Sequence, residues 1–89
     1  MKSIEVTVIG IVQGVFFRVS TFEKAISLGI KGWVKNASDG SVLIRAEGTV
    51  ESIVKFVDWC KTGPENARVK NVVLKEVPSE NFSEFKVLR

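Results

Sequence analysis

Histidine is absent from this 89-residue sequence. Its absence removes the usual general base, the commonest metal ligand and every Ser/His or Cys/His constellation. Cysteine occurs once, as Cys60. No internal disulfide can form, a disulfide-stapled secreted domain and a thiol metal site are excluded, and a reducing compartment is expected. Long apolar runs are lacking as well: no stretch approaches the roughly 18 residues of a membrane helix. Met1 to Glu5 has no basic segment leading into an apolar run, as a signal peptide would. These absences together lead to the expectation of a cytoplasmic protein with no membrane partner.

What is present is the composition of one folded unit. Hydrophobic residues make up 45% and charged residues 26%, which excludes a disordered tail or a fibrous repeat. A chain of this length is too short for two independent cores, so residues 1–89 are expected to form a single domain. Thirteen Lys and Arg against ten Asp and Glu leave +3, a mild excess that fits many ordinary surfaces as well as an anionic partner. Lys35, Arg45, Arg68 and Lys70 are scattered over strand patterns and read as a solvated face.

Ile4 to Ile11 alternates, with Ile4, Val6 and Val8 on one face and Glu5 and Thr7 on the other, the period of a half-buried strand. Past Gly10 and Gly14, Phe22, Ala25 and Ile26 recur at helical spacing until Gly29. Ser20 and Glu23 have the spacing of a capping box, while Arg18 is an alternative start for the same helix. Ile30–Asn36 and Ser41–Glu47 are short strand patterns joined by Ala37-Ser38-Asp39-Gly40, a hairpin signal. Thr49 reads as the N-cap of a second helix with Val50, Ile53, Val54, Val57 and Cys60 on its apolar stripe, closed by Gly63-Pro64. Val69–Val77 is a further strand, and the three-residue spacing of Val69 and Val72 leaves its buried face unassigned and calls for a bulge or a late start. Phe85–Leu88 adds a short edge. The order strand, helix, strand, strand, helix, strand is that of an α+β, ferredoxin-like split βαβ sandwich (βαββαβ), an antiparallel sheet covered on one face by two helices. Its first strand lies beside the third in sequence. Trp33, Trp59, Phe22, Phe56, Phe82 and Phe85 read as packing, and Cys60 as a small buried hydrophobe.

The loop Gly10-Ile11-Val12-Gln13-Gly14-Val15-Phe16-Phe17-Arg18 falls between a strand end and a helix start, where backbone N–H groups and the helix dipole favour an anion. Gly14 can take a positive φ and let the backbone curl around a tetrahedral oxyanion, with Phe16 and Phe17 anchoring the loop. Arg18 would close such a cradle bidentately, and an unpaired arginine there would oppose the helix dipole by about 0.3–1 kcal/mol. The same glycines also suit a plain turn with a solvated arginine. Asn36, at the end of its strand, is the second candidate, since its amide both donates and accepts; by spacing alone, Asn36 and Asp39 are equally turn formers. The carboxylates show no paired arrangement with metal-ligand spacing, so no metal and no cofactor are expected.

Gly10 to Arg18 together with Gly32-Trp33-Val34-Lys35-Asn36-Ala37-Ser38-Asp39-Gly40-Ser41-Val42 and Gly48 resembles the two-part signature of the acylphosphatases, over essentially the whole chain. The resemblance implies hydrolysis of the carboxyl-phosphate bond of small acyl phosphates to carboxylate and inorganic phosphate. It further implies phosphate binding by Gln13, Gly14, Val15, Phe16, Phe17 and Arg18, with Arg18 as clamp and Asn36 positioning the attacking water. Ala37 departs from the pattern, since many family members carry threonine there. An acyl phosphate suits a chain without histidine: its carboxylate leaving group has a conjugate acid of pKa about 4 and departs unprotonated. The expected partners are the substrate and inorganic phosphate, as product and competitive inhibitor, with no nucleic acid and a monomeric chain. Two other classes share the pattern. An RNA-binding sheet is disfavoured because neither Ile4–Ile11 nor Ser41–Glu47 carries an aromatic residue. A regulatory module would bind a small anion at the Gln13–Arg18 loop without turning it over.

Overall fold

Strand β1 (Lys2–Ile11) turns Ile4, Val6 and Val8 into the core, as their alternation predicts. The computed structural model describes residues 1–89. After β1 follow α1 (Phe17–Ser27), β2 (Lys31–Asn36), β3 (Val42–Gly48), α2 (Val50–Cys60), β4 (Arg68–Glu76) and β5 (Phe85–Val87). The sheet order is β4-β1-β3-β2-β5. Strand β1 pairs antiparallel with β3 and β4, and β2 antiparallel with β3, which gives the ferredoxin-like core. The expected C-terminal edge forms as β5, but it runs parallel to β2 and makes the sheet mixed. Helix α1 lies over β2 and β5, α2 lies over β1 and β3, and the helices touch.

The bulge falls in β4: Ile9 faces Asn71 but Gly10 faces Val69, so Lys70 is the extra residue. At Gly10 the strands come so close that a Cβ would sit 2.1 Å from the Arg68 carbonyl oxygen, and only glycine fits.

Two helix readings need correction. Helix α1 begins at Phe17, and Ser20 is already inside it, its N–H donating to the Phe16 carbonyl, so there is no Ser20/Glu23 capping box. Its buried stripe is Phe17, Thr21 and Ala25, a strict four-residue spacing that leaves Ile26 55% exposed. In α2 the Thr49 cap is present, Oγ1 accepting from the Ser52 N–H at 3.1 Å. The buried face there is Ile53, Phe56, Val57 and Cys60, while Val50 and Val54 face solvent. The cause is tertiary: α2 sits over β1 and β3, and β4 extends beyond its cover, so Val54 on the helix and Leu74 on the strand flank an open groove.

Phe56 and Phe85 are buried, Phe22, Trp33, Trp59 and Phe82 half-buried, and Phe17, Phe56 and Phe85 all lie within aromatic contacts, which supports the packing reading. Burial pushes the Cys60 thiol up to about 12, so it stays protonated and unreactive.

One buried charge holds the C-terminal edge. Glu47, at the end of β3, is 4% exposed. Its carboxylate accepts from the Ser3 hydroxyl at 3.0 Å, the Glu80 N–H at 2.6 Å and the Phe82 N–H at 3.1 Å. Burial by itself would raise this carboxyl, but the donors from Glu80, Phe82, Ser3 and Ser79 outweigh it and hold the group below its ordinary value of 4.5. A carboxyl lowered in the folded state contributes stability above its unfolded pKa and loses it as pH falls through the folded value. Glu47→Gln aims an amide NH2 at backbone donors. It is expected to lower unfolding free energy at pH 7 by about 2–3 kcal/mol. In urea titrations it should also flatten the loss of stability expected of the natural chain below about pH 4.5; an unchanged acid limb would remove Glu47 from this role.

Candidate active site

The two helices start in opposite ways. Helix α2 has a side-chain cap at Thr49 and Glu51 in its first turn, both of which stabilise a helix N-terminus. Helix α1 has neither: no acidic residue lies in its first turn, no side chain caps it, and Arg18 occupies its second position. Its N-cap is Phe16 in the left-handed region, φ 64°, which costs a non-glycine residue about 1–3 kcal/mol. Just upstream, Gly14 takes φ 75° with open space around its missing Cβ.

This alternation of left-handed residues and helix start leaves a run of donors free. No acceptor within the chain is found for the N–H groups of Gly14, Val15, Phe16, Phe17, Arg18 and Val19. Such a row at a helix N-terminus presents the donors that an anion can accept from. The concavity it borders, about 220 Å³, is lined by Val12, Gly14, Phe16, Phe17, Arg18, Val19 and Asn36.

Arg18 is half-buried, and its Nη1 donates to the Leu88 carbonyl oxygen at 2.8 Å. One of five donors thus fixes the guanidinium plane, and the remainder stay available for an oxyanion. Leu88 is itself held by its N–H, which donates to the Val34 carbonyl at 2.8 Å. Asn36 reaches the same concavity from the end of β2, opposite Val42. Its side-chain amide makes no hydrogen bond within the chain and is not buried, so both its oxygen and its nitrogen can meet a ligand.

The structure therefore brings together Gly14, Phe16, Phe17, Arg18 and Asn36. Gln13 and Val15 are not among the lining side chains. Gln13 points the other way: its Nε2 donates to the Ala37 carbonyl at 2.8 Å and the Ser41 carbonyl at 2.9 Å. It bolts the loop to the hairpin turn that follows Asn36. The expectation that both phenylalanines anchor the loop holds only for Phe17, which is 2% exposed; Phe16 is 77% exposed. In the turn that follows Ala37, Asp39 accepts from the Ser41 N–H at 3.0 Å and the Ser41 hydroxyl at 2.6 Å. Those two Ser41 bonds also lower the Asp39 carboxyl.

Sequence reasoning missed Val12, Val19 and the Leu88 carbonyl. Val19 follows the arginine in the first helical turn and was findable from the helix start; nothing in the pattern near Leu88 signals a contact 70 residues away.

The acylphosphatase family model matches residues 4–87. An acylphosphatase of Methylococcus capsulatus is 46% identical over 90 residues, covering 100% of this chain and 98% of that protein. The solved structure of an acylphosphatase from Coxiella burnetii superposes with a TM-score of 0.95 at 46% identity, covering 98% of this chain and 92% of that one. The crystal structure of the Bacillus subtilis acylphosphatase gives a TM-score of 0.96 at 34% identity, covering both chains completely.

Gln13→Ala removes two neutral hydrogen bonds between loop and hairpin and is expected to lower stability by about 1–2 kcal/mol in urea unfolding. Amide exchange should quicken in both Gly14–Val19 and Ala37–Gly40; exchange that changes in neither segment would show that the bolt holds nothing.

Proposed function

The chain belongs to the acylphosphatase family and is a hydrolase of acyl phosphates; from that premise we propose how residues 1–89, as one acylphosphatase-like domain, carry out the reaction. The phosphoryl group sits in the cradle of N–H groups from Gly14 to Arg18, within the Gln13–Arg18 loop, and Arg18 clamps its oxygens. Asn36 holds a water in line with the departing carboxylate. The observation that carries this reading is the row of N–H groups without acceptors on a helix start that also bears Arg18, with the free amide of Asn36 across the same concavity. A bound dianion would satisfy those donors, offset the charge of Arg18 against the helix dipole and repay the strain at Phe16.

In the step itself the water oxygen forms a bond to phosphorus while the bond from phosphorus to the acyl oxygen breaks, and the electron pair leaves with the carboxylate. The leaving group needs no proton, because its conjugate acid has a pKa of about 4. The water's proton passes to a phosphoryl oxygen of the substrate or to solvent, since no lining residue can act as a base. Positioning and fixed donors do the work, as expected for phosphoryl transfer with a dispersed charge. The lining offers no carboxylate, imidazole or thiol to a metal, so turnover is proposed to be independent of metal and cofactor. Inorganic phosphate, sharing the cradle, acts as a competitive inhibitor. The working form is proposed to be a cytoplasmic monomer that needs neither nucleic acid nor membrane.

Hydrolysis of benzoyl phosphate in the presence of EDTA tests this reading. The natural chain is expected to turn over rapidly, and Asn36→Ala to lose about a hundredfold or more in kcat, the scale of losing one transition-state donor, while phosphate inhibition stays near its natural strength. Loss of phosphate inhibition alongside turnover would make Asn36 part of the cradle instead. Between about pH 5 and 8 the rate should show no titration of the enzyme itself, because arginine and asparagine side chains do not change charge there. A bell with two enzyme pKa values would overturn the substrate-assisted route.

A further inference from the structure

The sheet ends on one side in a long strand whose outer edge is unpaired. Strand β4, nine residues long, is outermost beside β1, whereas the opposite edge, β5, has only three residues. Alternation along β4 identifies the unmet backbone groups. The Val77 N–H donates to the Ser3 carbonyl at 3.2 Å, so Val73 and Lys75 also turn their N–H and C=O groups to β1, and those of Val72, Leu74 and Glu76 face outward. The Asn71 side chain accepts from the Val72 N–H at 2.9 Å. Leu74 and Glu76 have no such cap, and their backbone is open to a further strand.

An apolar groove runs beside this edge. Ile53, Val54 and Val57 of α2, Ile4 of β1 and Leu74 of β4 line a volume of about 410 Å³, within the roughly 300–1,000 Å³ of ligand sites. Val54 is 62% exposed and Leu74 50%. Leu74 lies opposite Val6 and so is on the helix side of the sheet. A strand added to β4 would place its residue opposite Leu74 on that side as well, over the groove, and the adjacent residues on the open side, level with Lys75.

Charge narrows the choice of strand. Lys2 is paired with Glu76 at 2.5 Å, which leaves Asp58 as the one unpaired acid in the lining. Lys61 and Lys75 in the same lining make no ion pair, and an unpaired Lys70 joins Lys61 at an adjoining concavity farther along β4. Three free cations against one free carboxylate repel a second copy of this edge, as lysines on exposed strands do, and attract an acidic chain.

We propose that β4 and α2 form a docking site for a partner protein presenting an extended segment in which apolar residues alternate with Asp or Glu. The segment adds to the sheet at Leu74 and Glu76, its apolar side chains fill the groove between Val54 and Leu74, and its carboxylates meet Lys75 and the Lys61–Lys70 end. This surface shares no lining residue with the concavity of Arg18 and Asn36, so the site is separate from the hydrolase chemistry.

The test uses calorimetric titration and amide exchange of the full chain with synthetic peptides of about eight residues. One alternates valine and glutamate, one alternates valine and lysine, and one carries its valines and glutamates in separate blocks. The alternating acidic peptide is expected to bind and to slow exchange at Leu74 and Glu76, while the Lys75 amide, already turned to β1, stays as it was. Leu74→Ala should weaken this binding roughly threefold to tenfold, the range of a partly buried apolar side chain. Lys75→Glu should weaken it about twofold to fivefold, the range of an exposed ion pair, and improve binding of the lysine peptide. Both side chains are exposed, so both variants are expected to fold and to keep hydrolysis of benzoyl phosphate. No binding of the acidic peptide, equal binding of the lysine or blocked peptide, or protection away from β4 would overturn the docking site. Concentration-dependent dimers of the natural chain in sedimentation, with the same protection at Leu74 and Glu76, would also overturn it by making a second copy the occupant.

Discussion

The start of helix α1 is the constraint to which the other parts of the site answer. A helix N-terminus needs acceptors for its first donors, and this one meets that need with neither a cap nor an acidic side chain. It adds a strained phenylalanine and an arginine, each of which makes the start less favourable. The same chain caps α2 with Thr49 and Glu51, so the omission at α1 is local. The unmet donors make the segment a poor helix start and a good receptor for an anion, and both descriptions have the same physical content.

Such a segment keeps its shape only if its surroundings hold it. Phe17 sits in the core against Trp59, with ring centroids 5.5 Å apart. Gln13 ties the loop to the hairpin carbonyls, which sets the loop against the turn after Asn36. Arg18 is held from the far end of the chain by the Leu88 carbonyl. That contact depends on β5 lying beside β2, and the approach to β5 is gripped by the buried Glu47 through the N–H groups of Glu80 and Phe82. A chain of contacts thus runs from a buried carboxylate through an edge strand to the arginine. Arg45, paired with both Glu5 and Glu80, reinforces the same connection.

Much of this was legible beforehand, and the boundary follows the range of the interactions. The alternation of Ile4, Val6 and Val8, the Thr49 cap and the Asp39-Gly40 turn are set by residues within a few positions of one another, and all three appear. Val69 and Val72 break the two-residue period, which signals a bulge or a late start, and the register of β1 against β4 shows that it is a bulge. Ile26 and Val54 were misjudged because periodicity reports that a face is apolar but not how wide a surface lies beneath it. Helix α2 covers two strands of five, and what falls outside that cover is exposed. The run of Gln13 with Gly14 and Arg18 places it in the loop but carries no sign that its side chain turns to the hairpin carbonyls.

The sequence by itself determined the element order, the glycine-containing strand-to-helix loop that carries Arg18 and the residue types able to do chemistry, because these depend on local backbone preference and on which functional groups exist in the chain. The absence of histidine belongs there as well: a missing group is missing in every fold. Only the tertiary structure decided that Asn36 faces the same concavity as Arg18, that Leu88 holds the guanidinium, that β5 runs parallel, and that Phe16 points outward while Phe17 points inward. Each of these joins residues distant in sequence or selects between two neighbouring side chains. Such choices are made by the packing of whole elements, which no local period encodes.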